Sequence, residues 1–111
     1  MYISVTGLRL RSSIVLPLFW WHATHSMIQA KRADGNRFAD ARNVDGVYHT
    51  LTAWHDRKAM LVYLGCGAHL RAMRIFDLIG SGRVHGFEAE QVPDWPEALR
   101  LWKAYGRDAG V

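Results

Sequence analysis

The chain has a single cysteine, Cys66, in 111 residues. A lone thiol excludes an intrachain disulfide and fits a reducing compartment. It also argues against a structural zinc site, which takes four protein ligands. Long apolar runs are missing. The stretch IVLPLFWW, residues 14–21, has eight apolar residues, too few to span a bilayer. Arg9 and Arg11 before it give a faint signal-peptide look, but residues 2–10 alternate like a strand and no A-x-A site follows. Runs of Lys and Arg are missing as well, none exceeding the pairs Lys31-Arg32 and Arg57-Lys58. The net charge of +4 therefore reads as scattered surface charge rather than a phosphate-binding stripe. There is no internal repeat, no low-complexity tract and no Gly-rich phosphate loop with Lys-Ser/Thr behind it. No Ser-His-Asp order or carboxylate pair stands out. These absences lead to the expectation of a cytoplasmic protein with no nucleic-acid and no membrane partner.

What is there is apolar and aromatic. Half of the residues are hydrophobic and 22% are charged, and five are Trp, which suits one globular domain over residues 1–111. So many large aromatics need a core or an interface. Residues 2–10, YISVTGLRL, read as a strand. Pro17 opens a helix to about Arg32, because proline fits a first helical turn. Trp20, Ala23, Met27 and Ala30 make its apolar stripe. Residues 37–44 and 47–55 form a hairpin through Asp45-Gly46. In the second strand Val47, His49, Leu51 and Ala53 share one face, and Tyr48, Thr50, Thr52 and Trp54 the other. Neither is cleanly polar, so both are at least partly covered.

Asp56 caps a helix from Arg57 to about Leu64. Gly65 and Gly67 break it, and a second piece runs from about Ala68 to Ile79. Gly80-Ser81-Gly82 ends that piece, and residues 83–91 read as a fourth strand. Asp94 caps a last helix with Glu97 as capping-box partner. Trp95, Leu99 and Trp102 share one face, and Gly106 is the stop. The order β-α-β-β-α-β plus a terminal helix is the ferredoxin-like α+β pattern. With helices on one sheet face only, a second copy is expected to cover the other, which makes a homodimer.

The run HTLTAWHDRKAMLVYLGCGAHLRAM, residues 49–73, has a strand ending in Trp54, a cap at Asp56, Met60 and Tyr63 facing inward, then Gly67-Ala68-His69 and Ala72-Met73. It resembles the antibiotic-biosynthesis-monooxygenase type of dimeric α+β barrel, in particular the spheroidene-monooxygenase-like bacterial proteins. The Phe19-Trp20 pair fits the same comparison. The likeness covers most of the chain in element order, and about 25 residues as a motif. It implies an enzyme of monooxygenase-like oxidoreductase type, either free of cofactor and acting on a quinol-like aromatic, or binding haem. The matching helix histidine, His69, is then the axial ligand or proton carrier. The first helix has no Asn, so the Asn-Trp-His constellation of haem-degrading members is absent, and Cys66 falls where that family has no special residue.

From the residues themselves, Cys66 and His69 lie three apart, but no further ligands complete a metal site. Cys66 reads first as a small buried thiol beside a glycine break. His69 shares a helix face with Ala72, Met73 and Phe76, as a core-edge histidine or a group that moves a proton. His49, in mid-strand, is a satisfied sheet residue or an orienting group for substrate. Trp20, Trp54, Tyr63, Met73 and Phe76 are walls of a pocket for a flat apolar ligand, or plain core. His22, His25, His55 and His85 read as surface. The leading expectation is a monooxygenase-like pocket between helices and sheet, and its alternative is a non-catalytic dimeric binding or structural protein of the same fold. A cavity beside His69 separates the two.

Overall fold

The computed structural model describes residues 1–108, without the side chains of Ala68 and Asp77. Strand β1 spans Tyr2–Leu10, and a short 3-10 turn, Ser13–Val15, leads into helix α1, Leu16–Arg32. Strands β2, Asn36–Val44, and β3, Val47–Trp54, form the hairpin. Helices α2, Arg57–Leu64, and α3, Gly67–Ile79, follow it. Strand β4, Gly80–Glu88, helix α4, Trp95–Tyr105, and a two-residue strand β5, Arg107–Asp108, complete the described chain. The sheet is antiparallel in the order β2-β3-β1-β4-β5.

Local chemistry explains most boundaries. Asp45 and Gly46 hold φ of 52° and 81°, the left-handed pair that a two-residue hairpin turn requires. Asp56 Oδ1 accepts the Ala59 N–H at 2.8 Å, and Asp94 Oδ1 accepts the Glu97 N–H at 2.9 Å. The capping box is only half made: the Glu97 carboxylate turns to Arg100, taking its Nε–H at 2.8 Å and Nη2–H at 2.6 Å.

The expected fourth strand, 83–91, is displaced towards the N-terminus. It starts at Gly80, with no loop after α3, and pairs Gly80 with Leu10 and Gly82 with Leu8. A Cβ at Gly80 would sit 2.5 Å from the Arg9 carbonyl oxygen, so this glycine permits close backbone approach rather than making a turn.

The expectation of helices on one face only is also corrected. Helices α1, α2 and α3 cover the face that carries Tyr48 and Trp54. Helix α4 packs on the opposite face, where Ile3, Val5, Leu51, Ala53, Trp95 and Ala98 form one buried cluster. Trp95 and Trp102 decide this: Trp95 Nε1–H donates to Asp40 at 3.0 Å, and Trp102 Nε1–H to the Arg83 carbonyl at 2.8 Å. Their rings satisfy the apolar face while their N–H groups find acceptors at the strands.

Candidate functional site

Between the sheet and helices α1, α2 and α3 lies a cavity of about 490 Å³, within the range of small-molecule sites. Its floor is the inner face of β1 and β3: Ser4, Thr6, Thr50 and Thr52. These are alternate strand positions, so their hydroxyls point to one side. Thr6 and Thr50 hydroxyls are hydrogen-bonded to each other, and Thr52 Oγ1 accepts the Trp54 Nε1–H at 3.0 Å. The helical wall brings Phe19, Trp20, Tyr63, His69, Met73 and Phe76. A second depression of about 720 Å³ around Asp34, Arg37, His55 and Lys58 is open surface and encloses nothing, so the cavity under α1 and α3 is the candidate site.

One side of the cavity is an aromatic stack. Trp54, fully buried, stacks on Tyr63 with centroids 4.9 Å apart, and Tyr63 meets the His69 ring at 4.5 Å. Tyr63 OH donates to the Ser26 carbonyl at 3.0 Å and lies 2.9 Å from Ser26 Oγ. Burial pushes the Tyr63 hydroxyl up to about 12, against the Ser26 hydrogen bond, so it stays protonated at neutral pH. Tyr63 is a wall and an anchor here, not a base.

His69 sits in the first turns of α3, held by a clamp from α1. Gln29 Oε1 accepts the His69 backbone N–H at 2.8 Å, and Gln29 Nε2–H donates to the Cys66 carbonyl at 2.9 Å. His69 Nδ1 faces the Leu64 carbonyl at 3.3 Å. A carbonyl only accepts, so Nδ1 carries the proton and, among the described residues, Nε2 keeps a free lone pair. Burial lowers the proton affinity of His69, outweighing the Leu64 bond. A neutral imidazole with one free nitrogen on a cavity wall is competent as a base or as a ligand to a metal-bearing group.

That burial has a pH consequence. The lowered histidines are His69, His49 and His85, each through desolvation first. The unfolded chain, with histidine near 6.5, binds protons that the folded chain refuses. Stability is therefore full above about pH 6.5 and falls as pH drops towards the folded values. Thermal melts from pH 8 to pH 5 should show Tm constant at the alkaline end and falling below about 6.5. His69→Gln should flatten that fall. An unchanged slope in this variant would remove His69 as a contributor.

The structure places His69, Trp54, Tyr63, Met73 and Phe76 together along the cavity and sets the other singled-out residues elsewhere or at its edge. His49 touches the cavity only from within β3. Its ring lies on the α4 face, edge-on to Trp102 at 4.7 Å, with Nδ1–H donating to the Thr6 carbonyl at 3.0 Å. Strand alternation puts its side chain on the face of Leu51 and Ala53, while the residue also counts among those lining the cavity. Trp20 is 52% exposed and forms the rim; the buried aromatic of α1 is its neighbour Phe19, one position round the helix. Cys66 is exposed rather than buried, because it precedes α3 outside the packed face. Among the described residues there is no group of three metal-ligating side chains. Sequence reasoning missed Ser26, Gln29 and the hydroxyl floor. The floor had a readable signal, since Ser4 and Thr6 in β1 and Thr50 and Thr52 in β3 alternate.

The antiparallel sheet with its helices defines a ferredoxin-like α+β protein, here with a partly open, aromatic-walled cavity under its first helices. No family model matches the chain, and no curated protein matches it in sequence. Solved structures match it in shape. A crystal structure of an antibiotic biosynthesis monooxygenase superposes with a TM-score of 0.73 at 11% identity, over 82% of this chain and 100% of the other. A Mycobacterium tuberculosis protein gives 0.73 at 11% identity, over 85% and 100%. SnoaB, a cofactor-independent oxygenase from Streptomyces nogalater, gives 0.66 at 16% identity, over 84% and 97%. The chain has the α+β fold of the antibiotic-biosynthesis-monooxygenase proteins. At these identities the likeness is one of fold.

Proposed function

We propose that this chain binds a flat apolar small molecule in the cavity under α1 and α3, and acts on it as a monooxygenase-like oxidoreductase with His69 as proton carrier. The observation that carries this reading is the cavity of about 490 Å³ ending on an imidazole whose Nε2 is free. Trp54, Tyr63, Met73 and Phe76 are the walls, Trp20 the rim, and the Thr6–Thr50 pair a place for a phenolic or quinone oxygen. Nε2 takes a proton from an electron-rich phenol. The resulting anion is the electron source for dioxygen: a ring C–H and the phenolic O–H are lost, one oxygen atom enters as the second carbonyl of a quinone, and the other leaves with both hydrogens as water. A dry, shaped site favours this by excluding solvent from the anion. SnoaB, of the same fold, is a cofactor-independent oxygenase, which supports the comparison.

The His69 tautomer favours a second ligand, haem. A histidine bound to metal commonly donates its other N–H to a carbonyl, as His69 does to Leu64. His69 would hold the iron and the aromatic walls the ring, and haem when bound supplies iron-centred redox chemistry.

The test is a visible absorption titration with haemin and, separately, a binding titration with a dihydroxynaphthalene, each repeated on His69→Ala and on the cavity-filling variant Ala23→Trp. Saturable binding of either compound, lost on filling the cavity, is the expected result. A Soret shift altered in His69→Ala selects haem. Binding of the naphthol with oxygen consumption abolished in His69→Ala selects the oxygenase. Binding without oxygen consumption leaves a non-catalytic binding protein, and no binding of either compound ends the reading. We place a homodimer in the same proposal. Support comes from Phe38, 38% exposed, and Tyr105, 64% exposed, at the margins of α4, and light scattering on the purified protein decides it.

A further inference from the structure

Helix α1 is apolar on two opposite sides. Phe19, Ser26 and Ala30 are buried against the sheet and α3. Roughly 140° round the helix, Leu18, Trp21, His25, Ile28 and Arg32 recur at spacings of three and four, which is one straight stripe on a helix of 3.6 residues per turn. That stripe faces solvent: Leu18 is 42%, Trp21 64% and Ile28 44% exposed. Ile14, just before the helix, is 84% exposed. A helix apolar on both sides is ordinarily buried, and this one is not.

Helix α3 repeats the pattern. Ala72 and Ile79 are buried on its inner side, while Leu70, Arg74 and Leu78 stand four apart on the outer side. Leu78 is 74% exposed. The two helices lie side by side and antiparallel. Arg11 N–H donates to Ile79 O at one end, Phe19 meets Phe76 at 5.4 Å, and Gln29 bonds Cys66 and His69 at the other end. Their outer stripes therefore form one face, with Ile14, Leu18, Trp21, Ile28, Leu70 and Leu78 as its apolar part.

The charge on this face has one dominant sign. The first acidic residue of the chain is Asp34, so everything up to the end of α1 carries only cations: Arg9, Arg11, Lys31 and Arg32. On α3, Arg71 and Arg74 are both exposed, against one acidic residue in the helix sequence, Asp77. Exposed Trp, Ile and Leu set among Arg and Lys are the composition of a helix that lies in a membrane interface. A second copy would carry the same excess of arginine on this face, and like charges across an interface are unfavourable, so the charge favours an anionic partner. The apolar residues select one with an oily interior. No helix among the described residues is long and apolar enough to cross a membrane, and a surface helix needs no such length.

We infer that the outer face of α1 and α3 docks on an anionic lipid surface, with Trp21, Leu18, Ile14 and Leu78 entering the headgroup boundary and Arg32, Arg71 and Arg74 on the phosphates. This stands whatever the cavity holds. Ile28 is shared between the docking face and the cavity lining.

The test is co-sedimentation of the full chain with vesicles of phosphatidylcholine alone or with added phosphatidylglycerol, at low and high salt. The expected result is binding only to the anionic vesicles, weakening with salt. Leu18→Glu with Trp21→Glu should weaken it about tenfold or more, and Arg71→Glu with Arg74→Glu by a similar factor. These residues are exposed, so near-ultraviolet circular dichroism should be unchanged. Absence of binding to anionic vesicles overturns the proposal. So does binding that survives both double variants. A dimer in light scattering that Leu18→Glu with Trp21→Glu makes monomeric, without vesicle binding by the parent, would assign the face to self-association instead.

Discussion

Trp54→Ala lowers the unfolding free energy by about 3–5 kcal/mol, which is a third or more of what a small domain has. Trp54 is fully buried at the end of β3. Its ring stacks on Tyr63, its N–H is taken by Thr52 Oγ1, and its strand neighbours are Tyr2 and Asn36. Removing the indole takes out the partner of Tyr63 and enlarges a space that is already a cavity, so the surroundings cannot collapse to fill it. Tm should fall by on the order of 15 °C. Trp54→Phe keeps most of the stack and leaves Thr52 Oγ1 without the indole N–H that it accepts, and should cost about 1–2 kcal/mol. The pair is read by chemical denaturation. A loss under about 1 kcal/mol for Trp54→Ala would mean that Trp54 does not anchor α2 to the sheet.

Gly7→Val should detach α4 from the sheet. A Cβ at Gly7 would stand 2.3 Å from Trp102 Cζ2 and 2.9 Å from His49 Cε1. Both rings are held by hydrogen bonds, Trp102 to Arg83 O and His49 to Thr6 O, so neither can swing away without losing a bond. Overpacking of this kind costs about 1–3 kcal/mol and more where backbone must move. Gly7→Val should reach the top of that range, with Gly7→Ala lower. The cause is separable from β-propensity, which alone favours Val. In a Trp102→Ala background the Gly7→Ala penalty should largely vanish, giving a coupling of about 1 kcal/mol or more in a double-mutant cycle. Equal penalties in both backgrounds would show that Trp102 is not what requires glycine there.

Much of the architecture was legible in the sequence because its signals are local. Asp45-Gly46 demands positive φ, Asp56 and Asp94 offer a carboxylate to the N–H three residues on, and Pro17 belongs in a first turn. The grouping of Trp54, Tyr63, His69, Met73 and Phe76 was legible too, since helical and strand spacing put each on an inward face. The choice between Phe19 and Trp20 was not. Both are large aromatics one step apart, and only the angle at which α1 meets the sheet says which is buried. Glycine was misread at Gly80 for a related reason. A glycine that serves a turn and one that lets two backbones approach look alike until the neighbour, here Arg9, is in place.

The sequence by itself determined the order of the elements, their caps and turns, and which side chains of each share a face, because these depend on contacts within a few residues. Tertiary structure alone decided which side of the sheet α4 covers, and so that the His49 ring packs edge-on to Trp102 while the residue still borders the cavity. It also decided that His69 holds its proton on Nδ1 and keeps Nε2 free, and that the space between helices and sheet stays open. Those outcomes rest on meetings between residues far apart in the chain, Trp102 with Gly7, Gln29 with His69, and Tyr63 with Ser26. Packing and hydrogen-bond satisfaction select such meetings over the whole molecule at once.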